Sequence, residues 1–200
     1  VVHEVNIIFF MNKFDYNKIK DNLNIDWLKE NHSMIHFFGL GFIQVKLKNP
    51  TYRVHFYTSK FQPIIEEESV HNHRYSFTSY VAKGMLQQEI YSFIKNEKGI
   101  YIKEYESCSP NVKCEKPGVI GDYELQMVIS LPKESFYTIN RNLFHKAWAN
   151  QDTITILQKG NYESEFAEVV SLKNKEKICP FSKKIHEDEL WETIATMLDK

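Results

Sequence analysis

Cysteine is scarce in this chain of 200 residues: Cys108, Cys114 and Cys179 are the full set. Three thiols cannot build a disulfide framework, and the spacing of the first two is too wide for a zinc knuckle or a thioredoxin pair. Reduced thiols in a cytoplasmic protein are the expectation, with a Cys108–Cys114 disulfide closing a loop as the alternative. Seven glycines and six prolines exclude a collagen-like or linker-dominated chain. Long apolar runs are missing too: none approaches a membrane span, and Val5 to Met11 is shorter than a typical signal peptide. Nor is there an excess of either charge, since 25 basic and 26 acidic residues interleave to a net −1. Nucleic-acid binding relies on a basic face to neutralise phosphates. Neither nucleic acid nor membrane is therefore an expected partner.

What the chain does have is aromatic side chains, 14% of the total, with Phe and Tyr dominant. Flat and branched side chains pack well on a pleated surface, so this composition leans towards strands. The length suits a single domain, residues 1–200, with enough residues for a real core.

Apolar residues at Val5 to Phe10 read as an edge strand or docking arm. Tyr16, Ile19, Leu23, Trp27 and Leu28 fall near helical spacing, so a helix is expected over 15–30, broken around Asn22–Asn24. Strands are expected at 36–48, 52–57, 71–84, 85–94 and 100–105. Asn49-Pro50 and Asn96-Glu97-Lys98-Gly99 punctuate them as turns, and Gly84 sits at a tight corner. Residues 106–121 read as the longest loop, followed by strands at 123–131, 136–139 and 153–159. Leu190, Trp191, Ile194, Met197 and Leu198 mark a helix over 186–198, with His186 or Ser182 as its cap. Many short strands framed by helices argue for a mainly β sandwich or barrel, its core at about 36–160.

The chemistry centres on His71-Asn72-His73-Arg74-Tyr75, followed by strand-forming residues up to Gly84. Residues i and i+2 of a strand share a face, which would aim His71 and His73 together, about 7 Å apart along the strand. Neutral imidazole is a common ligand of zinc, iron and copper. A third nitrogen is available from His145, which follows the strand 136–139 and a polar turn. Three protein ligands with open positions suit a catalytic metal rather than a structural one. Tyr75 shares the parity of the two histidines, as do Phe77 and Ser79. Tyr137, Arg141 and Trp148 are further pocket-lining candidates, and Arg74 offers a fork for a carboxylate or phosphate. His55 is expected to be structural.

The pattern resembles the cupins, double-stranded β-helix (jelly-roll) proteins. The first cupin motif is matched by His71, Asn72, His73 and Gly84, and the second, loosely, by Tyr137 through His145. Asn140-Arg141-Asn142 stands where cupins often have Pro-x-Gly, and no Glu or Asp follows His73 at the usual distance. The resemblance covers roughly residues 36–160 and is nearer to the three-histidine branch that includes the cysteine-dioxygenase-like proteins. It implies a jelly roll with an N-terminal and a C-terminal helix and a mononuclear metal on His71, His73 and His145. It further implies Fe(II) as the metal, with Ni, Mn or Zn also suited, and dioxygenation of a small polar substrate. Arg74, Tyr75 and Tyr137 are then the expected catalytic groups, and a homodimer is the expected assembly. Cupins without catalysis bind or regulate, and others are metal-assisted isomerases or lyases; for those Glu89 and Lys83 are the nearest bases.

Overall fold

The computed structural model describes residues 16–66, 68–106, 114–174 and 178–199. The expected arm at 5–10, Cys108 and much of the loop 106–121 lie outside the described residues. The interrupted N-terminal helix is present as α1 (Tyr16–Lys20) and α2 (Ile25–Asn31). Asn24 breaks it: its extended backbone caps α2, and its Oδ1 accepts from the Trp27 amide at 2.9 Å.

There follow β1 (His32–Phe38), β2 (Phe42–Leu47) and β3 (Tyr52–Tyr57), then β4 (Val70–His71), β5 (Phe77–Lys83) and β6 (Met85–Lys95). Next come β7 (Tyr101–Glu106), β8 (Val119–Pro132), β9 (Phe136–Ile139) and β10 (Phe144–Ala149). The chain continues through β11 (Thr153–Lys159) and β12 (Ala167–Leu172) to α3 (Glu187–Asp199). The protein is mainly β, and every pairing between neighbouring strands is antiparallel. One open sheet runs β1-β2-β3-β11-β5-β9; the other closes on itself as β10-β4-β12-β7-β8-β6. No helix is long and apolar enough to cross a membrane among the described residues.

Two expectations need correction. Residues 36–48 are not one strand but part of the β1–β2 hairpin, which turns at Gly39-Leu40-Gly41. Gly41 has φ +98°, open to glycine at little cost. Residues 71–84 are not continuous either: β4 stops at His71, and Asn72–Ser76 carries the chain from the closed sheet to the open one. Side chains and loops hold that crossing in place of a ladder. Asn72 donates to Glu168 Oε2 at 2.8 Å and accepts from the Glu168 amide at 2.7 Å. The Arg74 carbonyl accepts from the amides of Glu163 and Ser164. The strand β12, unread from the sequence, supplies Glu168.

Strand alternation sorts the open sheet into two unlike faces. Val54, Phe56, Tyr80, Ile154 and Ile156 face the helices and pack with Leu28, Leu190, Trp191, Ile194 and Met197 in the largest apolar core. On the other face a polar row, His36–Gln44–His55–Thr155, runs across β1, β2, β3 and β11 in register. Tyr57 and Tyr137, also on that face, pack with Leu86 and Leu131 of the closed sheet. The fold thus keeps its oily core under the helices and places polar side chains between the sheets.

Candidate metal centre

His71, His73 and His145 come together between the sheets, one nitrogen of each within 4.8 Å of the others. The route differs from the expected one. β4 lies beside β10 with His71 directly opposite His145, and His73 reaches in from the crossing segment rather than from the same strand. The His73 amide is held by the Arg141 carbonyl at 3.3 Å, which ties the crossing to the turn that precedes β10. The three histidines grouped from the sequence do come together, but parity along one strand is not what aligns them.

The outer nitrogens are anchored. His145 Nδ1 lies 2.8 Å from Gln88 Oε1, and His71 Nδ1 lies 3.0 Å from the Ser69 carbonyl. Both oxygens accept, so each ring carries its proton on Nδ1 and presents the Nε2 lone pair. Such second partners fix tautomer and ring orientation in metal-binding histidines. His73 Nε2 sits 2.8 Å from His145 Nε2. Nitrogens about 2.0–2.1 Å from one ion are roughly 2.9–3.4 Å apart, so small ring shifts suffice to hold it. Burial, and then the neighbouring His71, hold both His73 and His145 well below the ordinary histidine pKa. Neutral rings at pH 7 are the form a metal takes. The donor set fits a borderline cation such as iron, nickel or zinc, and no carboxylate belongs to it.

Around the imidazoles the walls are aromatic and amide. The Phe77 ring stands edge-on to His73 at 4.9 Å, and Tyr75 is buried 5.8 Å from it. Tyr137 bonds to Ser79 and to Gln88, so Gln88 joins a phenol to a candidate ligand. Burial pushes the Tyr137 phenol up to about 12, which keeps it protonated and able to donate.

Other expected site residues point elsewhere. The Arg74 guanidinium lies 4.6 Å over the exposed Tyr162 ring and makes no contact with the three imidazoles. Arg141 pairs with Glu163 at 3.4 Å, and Trp148 is 45% exposed. Lys83 donates to the Met197 carbonyl at the end of α3, and Glu89 accepts from Tyr91 on the side of β6 away from Gln88. Neither can serve as a base at the imidazoles.

Two residues were missed. Arg53, on the same face of β3 as His55 and Tyr57, lies 5.8 Å over the Tyr75 ring. It is in no ion pair among the described residues. Its charge helps hold His73 down, which puts it beside the site. The parity that placed His55 on this face could have found it. Glu68 is the second: its Oε1 lies 3.9 Å from His71 Nδ1. Nothing in the sequence separates it from its neighbours Glu66 and Glu67. His55 itself is a satisfied structural residue, accepting from Gln44 at 3.1 Å with Thr155 Oγ1 3.4 Å from its Nδ1. Compared with protein-family models and with curated proteins, the chain matches none.

Proposed function

We propose that this chain is a metal-dependent protein of cupin type, a mononuclear non-haem iron dioxygenase acting on a small polar molecule. The observation that carries the reading is the convergence of three imidazoles with no carboxylate among them. A three-nitrogen set leaves coordination positions for two further ligands and keeps the centre more positive than a set containing an acid. Two antiparallel sheets facing one another, with the imidazoles between them, agree with a jelly roll. Ni, Mn or Zn would suit the same donors.

A ferrous ion held there would supply the redox chemistry with O₂. The chain's own side chains would do the rest. Gln88 and the Ser69 carbonyl orient two of the ligand rings. Arg53 supplies an unpaired guanidinium for an anionic substrate group, the task that sequence reading gave to Arg74. Tyr137, a proton donor fixed by Ser79 and Gln88, can hold or give a proton at a substrate oxygen. Phe77 and Tyr75 exclude water from one side.

A second reading has one observation in its favour. With its proton on Nδ1, His145 can accept from His73 Nε2–H at 2.8 Å, so the pair is also satisfied with no ion. The chain would then be a metal-free binding or regulatory protein of the same fold. Elemental mass spectrometry on protein purified without a histidine tag separates the two. The expected result is near-stoichiometric iron, or another divalent metal, that is lost in His73→Ala. Wild-type protein that stays empty after anaerobic Fe(II) loading would sink the enzyme reading.

A further inference from the structure

We infer that Glu68 Oε1, backed by the Tyr57 and Tyr137 phenols, forms a subsite beside the three histidines that takes a protonated amine of the substrate. The inference rests on the metal-site reading above and extends it to substrate class.

The argument begins with β4, which is only two residues long and ends at His71. Past the Val70 end of β4, β10 keeps its partner β6 on one side but has no strand on the other among the described residues. The Ala147 amide, which that missing strand would have received, donates instead to Glu68 Oε2 at 2.7 Å. One carboxylate oxygen is thereby fixed, and the other faces the outer nitrogen of the His71 ring. Oε1 lies 3.9 Å from His71 Nδ1, a nitrogen that already gives its proton to the Ser69 carbonyl, and Lys146 acts on the carboxylate only from beyond ion-pair distance. No lysine or arginine pairs with Glu68 among the described residues. The side chain is 20% exposed, so Oε1 is enclosed without being sealed. An enclosed carboxylate oxygen lacking a partner is costly, and the matching group is a cation with N–H donors.

Two phenols complete the wall. Tyr57 and Tyr137 pack on the same aliphatic side chains, Val81, Leu86 and Leu131. Burial above all pushes both phenols up, so both stay neutral. Neutral tyrosines offer an ammonium group their ring faces and oxygens, the usual surroundings of a desolvated amine. Arg53 faces the same space from β3, so a carboxylate and an amine can be recognised by separate groups.

The test uses cobalt(II)-loaded full-length protein, with metal content measured for every variant and binding followed by the visible spectrum. Three pairs of probes differ only by an amine: acetate and glycine, propanoate and β-alanine, butanoate and 4-aminobutanoate. Each pair can reach the metal or Arg53 through its carboxylate, and the series measures the reach to Glu68. In at least one pair the amine should bind tenfold tighter or more. Glu68→Gln keeps an acceptor for the Ala147 amide and should erase that preference, leaving the plain carboxylate within about twofold. Tyr57→Phe should reduce the preference in part. No amine preference in the wild type, its survival in Glu68→Gln, or an equal loss for both members of a pair would overturn the inference. Failure of the metal-site reading shows differently, as protein that takes up no cobalt.

Discussion

At the scale of single residues, the polar row between the sheets makes a pH-dependent contribution that can be separated from that of the three-histidine cluster. Burial lowers His55 to about 3 and, with help from Lys46, lowers His36 to about 4. In the unfolded chain both titrate near 6.5. Below that pH the unfolded state binds protons that the folded state refuses, so stability is greatest above pH 6.5 and falls as the medium is acidified. The loss runs down to about pH 3 for His55, at up to about 1.4 kcal/mol per pH unit for one fully buried group. His55→Gln preserves partners for Gln44 and Thr155 while removing the titration. Denaturant unfolding of the metal-free variant between pH 7.5 and 4.5 should therefore show a slope shallower by about one proton. An unchanged slope would mean that His55 is solvated or charged in the folded state. His73 and His145 add losses of the same sign, but they are common to both proteins and cancel in the comparison.

At the scale of elements, the corner between β5 and β6 is the tightest point the sequence announced. Gly84 has φ +76°, and a Cβ there would lie 2.4 Å from Thr153 Oγ1 and 2.8 Å from the Thr153 Cα. Thr153 cannot withdraw, because its hydroxyl also accepts from the Met85 amide at 3.1 Å. Gly84→Ala should cost about 2 kcal/mol or more, adding steric displacement to the strain of the left-handed backbone. Gly41→Ala, with φ +98° but no contact closer than 3.2 Å to a Pro63 side-chain atom, should cost about 1 kcal/mol. Chemical denaturation of the two variants tests the order. The same contrast explains what was legible. Turn residues and alternation placed β3, β9 and β11 to the residue, because their flanking turns and period agree. The break at Asn72–Ser76 was hidden, because it is held by Glu163, Ser164 and Glu168 from far along the chain. β12 was hidden for a related reason. Its Ala-Glu-Val-Val-Ser-Leu run has little alternation, and Glu168 earns its place through Lys103 and Asn72. The three histidines could be named from residue type and spacing. Their convergence depends on the pairing of β4 with β10, which no local pattern encodes.

At the scale of the whole molecule, the fold separates the part that holds it together from the part that gathers the three imidazoles. The principal apolar core lies on the helix side of the open sheet, where Ile194 is fully buried among Leu28, Phe56 and Trp191. The imidazoles lie across that sheet, on the face turned to the closed sheet. A sheet two of whose central strands, β3 and β11, are paired on both edges transmits little of a local repacking from one face to the other. Ile194→Ala should therefore cost about 2–5 kcal/mol, the usual loss for a deleted buried side chain plus its cavity. Its metal affinity, measured well below the unfolding midpoint, should stay within about twofold of the wild type. His73→Ala should behave in the opposite sense, losing the metal while the metal-free protein keeps most of its stability. The two effects should add in the double variant to within about 0.5 kcal/mol of unfolding free energy, as for sites that share no partner. A loss of metal affinity exceeding tenfold in Ile194→Ala would show that the helices hold the imidazoles in register. The separation of framework and site across the open sheet would then be wrong.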